Sequence, residues 1–132
     1  MRDFRKLLVW EKSHALTLAE YKATAVFPQQ EMYGITSQIR RASASIAANI
    51  AAGCGRTSET ELARFMEIGM ASASEVAYYL ILARDLTYLP PDQFQKLSTQ
   101  TDEVQRMLRA FITQLRTNKP KPTPTQKLKA NG

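Results

Sequence analysis

An all-α fold, an antiparallel up-and-down four-helix bundle, is predicted by three features of the sequence. Apolar residues recur at steps of three and four along four long segments, the spacing that lines one face of an α-helix. Proline or glycine separates these segments through short connections, which favour antiparallel neighbours in a bundle. No stretch shows the strict alternation of a half-buried strand. We expect one domain, residues 1–117, with helices at about 10–26, 29–54, 59–88 and 91–117.

The first predicted helix rests on a short apolar pattern. Ala15, Leu18 and Tyr21 recur at steps of three, with Leu16 and Ala19 beside them, and this spacing indicates a helix. Phe27-Pro28 ends the helix, because the residue before a proline is pushed out of the α region. The residues before the helix are basic and apolar, and either an extended segment or a first helical turn fits them.

The second predicted helix contains the most unusual stretch of the chain, Ile35 to Gly55. Ala42 to Gly55 carries no charge at all, although a surface helix would carry charge opposite its apolar face. Two interpretations remain open. The helix either lies at the centre of a single bundle or also packs against a second subunit. The uncharged back of the helix favours the second interpretation, and we therefore expect a homo-oligomer.

A polar seam runs beside this apolar face. Buried polar groups need hydrogen-bond partners, so the seam must meet another element. Arg41 and Glu75 are lone charges on otherwise uncharged helix faces, and we expect them to pair, directly or through a neighbouring amide. The seam comprises Gln38, Arg41, Asn49, Arg56 and Glu75.

The last two helices have clear start signals. Ser58 and Glu61 have the spacing of a capping box, and Leu89-Pro90-Pro91 separates the third helix from the fourth. Residues 118–132 are rich in lysine and proline and are predicted to form an extended or disordered tail.

The sequence offers no recognisable catalytic or metal-binding pattern. Glu11 and His14 have the Glu-x-x-His spacing of di-iron bundles, but those sites need a second such motif, and His14 is the only histidine. Cys54, the only cysteine, has no neighbouring base or second thiol. We therefore expect no enzyme, no metal and no cofactor. The start of the chain lacks the pattern of a signal peptide, and its longest apolar run, Val76 to Ala83, is too short to cross a bilayer, so we expect a cytoplasmic protein without membrane partners.

The net charge of +6 suggests an anionic partner. Up to Thr117 there are fourteen Lys and Arg against twelve Asp and Glu, a net charge of +2, so the remaining +4 lies in the tail. Weakly selective contacts with nucleic-acid phosphates and solvated lysines that aid solubility are both compatible with this composition. The candidate nucleic-acid-binding residues are Arg2, Arg5, Lys6, Lys119, Lys121, Lys127 and Lys129.

An ordered series of motifs resembles the bacterial 23S rRNA-intervening-sequence proteins, also called the S23 ribosomal protein family. The similarity extends over roughly residues 4–116. The residues that carry it are Leu7, Val9-Trp10, Lys12, Tyr21, Phe27-Pro28, Glu31, Tyr33-Gly34, Ser37-Gln38-Ile39-Arg40-Arg41-Ala42, Ser45-Ile46, Asn49-Ile50-Ala51, Gly53, Gly55-Arg56, Ala71-Ser72 and Glu75.

The resemblance implies a four-helix bundle that assembles into rings of five. It also implies RNA binding or scaffolding, with RNA or a nucleic-acid-processing protein as the partner. One position departs from the family pattern: Ala52 stands where relatives usually have glutamate. If that carboxylate pairs with Arg41 or Arg56 in relatives, this chain must satisfy the arginine in another way.

Overall fold

The computed structural model describes residues 2–117, which form four α-helices packed in sequence order, without strands. The helices are α1 (Leu8–Thr24), α2 (Ile35–Cys54), α3 (Glu59–Asp85) and α4 (Pro91–Thr117), and short 3-10 turns lie at Phe4–Lys6 and Gln29–Glu31. None of the helices in this range is both long and apolar enough to cross a bilayer. The tail predicted at residues 118–132 lies outside the described residues.

The second helix begins about six residues later than the sequence predicts. Gln29–Glu31 form a separate 3-10 turn, and Gly34 precedes α2 with a non-helical backbone, φ −105° and ψ −121°. Glycine adopts such backbone angles more readily than other residues, so it separates the turn from the helix. The helical periodicity of this segment therefore starts only at Ile35.

Local hydrogen bonds define both ends of α3. The Ser58 hydroxyl oxygen accepts a 3.1 Å hydrogen bond from the backbone N–H of Glu61, as the capping motif predicts. The helix ends at Asp85, three residues before the predicted end at residue 88. Thr87 adopts a left-handed backbone with φ 67°, and the N–H of Tyr88 returns to the Ala83 carbonyl at 2.9 Å. This reversal satisfies the last carbonyls of the helix and turns the chain toward α4.

The tightest packing in the bundle is between α2 and α3. Ser45 and Ser72 hydroxyls are 2.9 Å apart across this interface. A Cβ atom built on Gly53 would lie 2.9 Å from side-chain atoms of both Leu62 and Phe65, so only glycine fits here without a shift. The largest fully buried apolar side chains are Leu16, Ile39, Ile46, Ile50, Met66, Val76, Leu80, Val104 and Leu108.

The inward face of α1 does not follow the apolar pattern of its sequence. Leu18 and Tyr21 remain 58% and 43% exposed, and Ala15 is exposed as well. The buried positions of α1 instead follow a mostly polar stripe: Val9, Ser13, Leu16, Thr17, Glu20 and Thr24. Small hydroxyl residues can be buried on this side because they hydrogen-bond to backbone carbonyls; for example, Thr17 Oγ1 donates to the Ser43 carbonyl of α2 at 3.1 Å.

Glu20 is the one fully buried carboxylic acid of this stripe. Its exposed fraction is 0%, and neither carboxylate oxygen has a hydrogen-bond partner among the described residues. Burial away from water disfavours the charged form and raises the pKa of Glu20 from the usual 4.5 to about 8. At neutral pH the folded protein therefore holds this side chain in its neutral form.

Candidate nucleic-acid interface

The predicted N-terminal basic cluster is largely engaged within the chain. The backbone N–H of Arg2 donates to the Cys54 carbonyl at 3.0 Å, which ties the first residues to the end of α2. The Arg2 guanidinium lies 2.8 Å from a carboxylate oxygen of Glu59 and 5.5 Å from the centre of the Phe111 ring. Arg2 thus joins the chain start to α3 and α4, although its side chain remains partly exposed.

Arg5 forms a second local pair, with Asp3. The guanidinium Nε lies 2.9 Å from the Asp3 carboxylate, and this hydrogen bond lowers the pKa of Asp3 below its usual value. Lys6 is exposed and forms no ion pair within residues 2–117. Exposed pairs contribute little stability, so a phosphate could displace the carboxylates. The four predicted tail lysines, Lys119, Lys121, Lys127 and Lys129, lie outside the described residues.

The polar seam on α2 is held by contacts near the surface. Arg41 is exposed and donates to the Gln38 side-chain oxygen, one turn earlier on the same helix. Asn49 Nδ2 donates to the Ser45 carbonyl at 2.8 Å. The Arg56 guanidinium lies 5.3 Å from the centre of the Phe65 ring, a cation–π contact between the end of α2 and the start of α3.

The expected pair between Arg41 and Glu75 does not form within the chain. Glu75 is exposed on α3, and its carboxylate forms no ion pair with another residue of the 2–117 range. The sequence suggested that Arg41 and Glu75 are buried, but both are exposed. Arg41 can therefore satisfy its donors with Gln38 and water. Ala52 is likewise exposed, so the missing family glutamate leaves no buried arginine without a partner.

Sequence reasoning missed a basic strip on the outer face of α4. Arg106 and Arg109 are exposed, lie one turn apart and form no ion pair among the residues described. They line two adjacent shallow depressions of ≈ 400 and ≈ 490 Å³. We call this surface the α4 polar strip: Thr99, Asp102, Gln105, Arg106, Arg109, Thr113, Gln114 and Thr117.

The α4 polar strip has the chemistry of a phosphate-binding surface. Its side chains are hydrogen-bond donors except for one carboxylate, that of Asp102. A guanidinium can bind two phosphate oxygens at once through its planar N–H groups. A signal was present in the sequence, because both arginines lie on the side of α4 opposite its apolar residues, but that position alone does not distinguish them from ordinary solvated charges.

The two residues considered for metal binding and catalysis, His14 and Cys54, both pack against other parts of the chain. His14 is exposed and its ring stacks on Trp10 with centroids 5.1 Å apart. Cys54 is buried, and burial raises the pKa of its thiol, which disfavours the reactive thiolate. Within residues 2–117, no three His, Cys, Asp or Glu side chains group closely enough to hold a metal ion.

Comparisons with known proteins identify a fold and a family. The chain is similar to a protein of unknown function from the S23 ribosomal protein family of Bacteroides thetaiotaomicron VPI-5482, known from its crystal structure. That likeness has a TM-score of 0.72 at 24% identity and covers 80% of this chain and 98% of the other, and it shows a common fold. No curated protein matches the chain. The model of the 23S rRNA-intervening sequence protein family matches residues 5–110, and the chain therefore belongs to that family.

Proposed function

We propose that this protein is a cytoplasmic, non-enzymatic and oligomeric helical bundle that binds RNA through backbone phosphates with little base selectivity. The observation that carries the proposal is the α4 polar strip, where Arg106 and Arg109 are exposed and form no ion pair among the described residues. Their neighbours in the strip are neutral hydrogen-bond donors and one carboxylate, that of Asp102. Lys6 and the tail lysines would add charge in the same chain, and assembly of several chains would multiply these weak contacts.

Salt-dependent RNA affinity tests the proposal. Fluorescence anisotropy with a labelled single-stranded RNA of mixed sequence, between 50 and 200 mM salt, would compare the wild type with Arg106→Gln/Arg109→Gln. Each lost phosphate contact on a single strand should reduce the slope of log affinity against log salt by about 0.7, so the double variant should lose about 1.4.

A charge-matched control separates the strip from general electrostatics. Arg64→Gln/Arg84→Gln removes the same charge from α3, where each arginine already pairs with a neighbouring carboxylate. This control should keep most of the slope. Equal effects of the two double variants, or no RNA binding at low salt, would contradict the proposed role of the strip. Deletion of residues 119–132 and Lys6→Gln then measure the contribution of the remaining candidates.

A protein scaffold is the second candidate function, and an uncharged surface favours it. We call this surface the α2–α3 outer face; it consists of Ala48 and Ala52 on α2 and Ile68 and Ala71 on α3, all exposed. The centre of a subunit interface is depleted in charged residues. We propose that copies of the chain meet here in a ring, and we expect five, the number implied by the family resemblance. In such a ring, Arg41 and Glu75 would pair between subunits.

Light scattering tests the assembly independently of RNA. The wild type should have about five times the chain mass, and Ile68→Asp should lower it, because it buries a charge in the interface. Tyr33→Asp is the matched control, since Tyr33 is 94% exposed and lies away from this face, in the connection before α2. A monomeric wild type would refute the ring. An assembled protein that does not bind RNA at low salt would favour the scaffold function over RNA binding.

A further inference from the structure

An open cleft of ≈ 460 Å³ lies between α1 and α4, on a side of the bundle that neither proposed function uses. Its walls are formed mainly by Ala19, Ala23 and Leu97, and Val26 lies at its mouth with 80% of its surface exposed. At this level of the bundle α1 contributes the small side chains of Ala19 and Ala23, which leave space beside α4. Its volume falls within the range of about 300–1,000 Å³ that is usual for small-molecule sites.

Two lysines and two glutamines surround these apolar walls, and the lysines are their only charged groups. Lys22 and Lys96, one from each helix, line the cleft, and neither amine forms an ion pair among residues 2–117. None of the lining residues is acidic. Gln100 also lines the cleft, and its buried side-chain oxygen lacks a hydrogen-bond donor among the described residues. The lining of the cleft therefore carries positive charge only, from Lys22 and Lys96.

We propose that the cleft between α1 and α4 binds a small soluble amphipathic carboxylate, with its apolar body on the alanine walls and its carboxylate between Lys22 and Lys96. Apolar walls with two unpaired cations complement a molecule that is apolar at one end and anionic at the other. The lysine stems can cover the apolar body while their amines reach the carboxylate. This proposal does not depend on RNA binding or on ring assembly.

Isothermal titration of the full chain with decanoate tests the site. Decanoate should bind saturably with one molecule per chain, and decyltrimethylammonium, which has the same alkyl chain and the opposite charge, should bind at least about tenfold more weakly. Lys22→Gln/Lys96→Gln should weaken decanoate binding by about tenfold, corresponding to about 1.4 kcal/mol. Lys6→Gln/Arg64→Gln removes the same net charge outside the cleft and should leave the affinity unchanged.

Two further variants test the location of the ligand. Ala23→Phe should fill the cleft and abolish binding. Val26→Asp places a carboxylate at an exposed position at the mouth, where folding is unaffected, and should weaken decanoate binding by repulsion. The proposal is overturned if decanoate does not saturate at millimolar concentration, if both head groups bind equally, or if Val26→Asp binds decanoate as the wild type does. A change in molar mass for Val26→Asp would also overturn it, because a second chain would then occupy the cleft.

Discussion

Glu20 provides the sharpest prediction, because its neutral state depends on the fold. Its carboxyl group is fully buried without partners, and burial raises the pKa of Glu20 to about 8. In the unfolded chain the same group returns to its usual pKa of 4.5. Between these two values the folded state holds a proton that the unfolded state has released. The free energy of unfolding must therefore fall as the pH rises.

The size of this effect follows from the two pKa values. Each pH unit over which only the folded state is protonated lowers stability by about 1.4 kcal/mol. The penalty is almost absent below pH about 4.5, grows through neutral pH and levels off above pH about 8. Between pH 5 and pH 8 the loss amounts to about 3.5 kcal/mol, a large part of the stability of a small domain.

Urea unfolding at pH 5 and pH 8, followed by circular dichroism, measures this loss. Glu20→Gln keeps the shape but cannot ionise, so its stability should fall by about 3.5 kcal/mol less than that of the wild type over this interval. Glu11→Gln, an exposed change on the same helix, should retain the wild-type pH dependence. Parallel stability curves for the wild type and Glu20→Gln would show that the carboxyl group gains a partner or water, and would refute the reasoning.

Three further predictions concern single positions. Gly53→Ala should lower the free energy of unfolding by about 1–3 kcal/mol, because the new Cβ overpacks against α3. Gly69→Ala, whose Cβ would lie 3.5 Å from its nearest neighbour, should leave stability unchanged or raise it by up to about 1 kcal/mol through helix propensity. Thermal melts of the two variants measure the difference. Ser58→Ala should lower stability by about 1 kcal/mol through loss of the cap, with Thr60→Ala, two residues away, as the control. The Cys54 thiol should react with a thiol reagent at pH 7 only slowly in the folded protein and rapidly in denaturant, since burial shields it and raises its pKa.

The helices α2, α3 and α4 were predictable because each combines strong apolar periodicity with a clear stop signal. The inward faces of α3 and α4 follow their apolar residues, and Leu62, Val76 and Leu108 are all buried as their spacing indicates. The inward face of the first helix could not be identified from the sequence, because apolar periodicity identifies the core face only when the core-facing residues are apolar. On α1, hydroxyl groups bonded to nearby carbonyls and a neutral Glu20 occupy that face instead.

The candidate site was less predictable, because ion pairing depends on residues distant in sequence. Arg2 meets Glu59, a residue 57 positions away, and the sequence does not indicate this contact. Arg106 and Arg109 differ from Arg2, Arg64, Arg84 and Arg116 in forming no ion pair among the described residues, and the sequence does not show this difference. The periodicity of α2 correctly placed Arg41 at the margin of the apolar face. The periodicity did not show whether the polar seam is buried, and the partner of Arg41 depends on that.

The hydroxyl-lined contact between α1 and α2 has a consequence for local motion. Thr17 and Arg40 hold the two helices together through hydrogen bonds, and the Arg40 side chain donates to Thr24 at 2.9 Å. Water can replace such bonds at little net cost, whereas it cannot replace the apolar contacts between α2 and α3. We therefore expect α1 to detach as a unit before the rest of the bundle unfolds. Its amide hydrogens should exchange with solvent deuterons faster than those of α2, and alkaline pH should widen the difference.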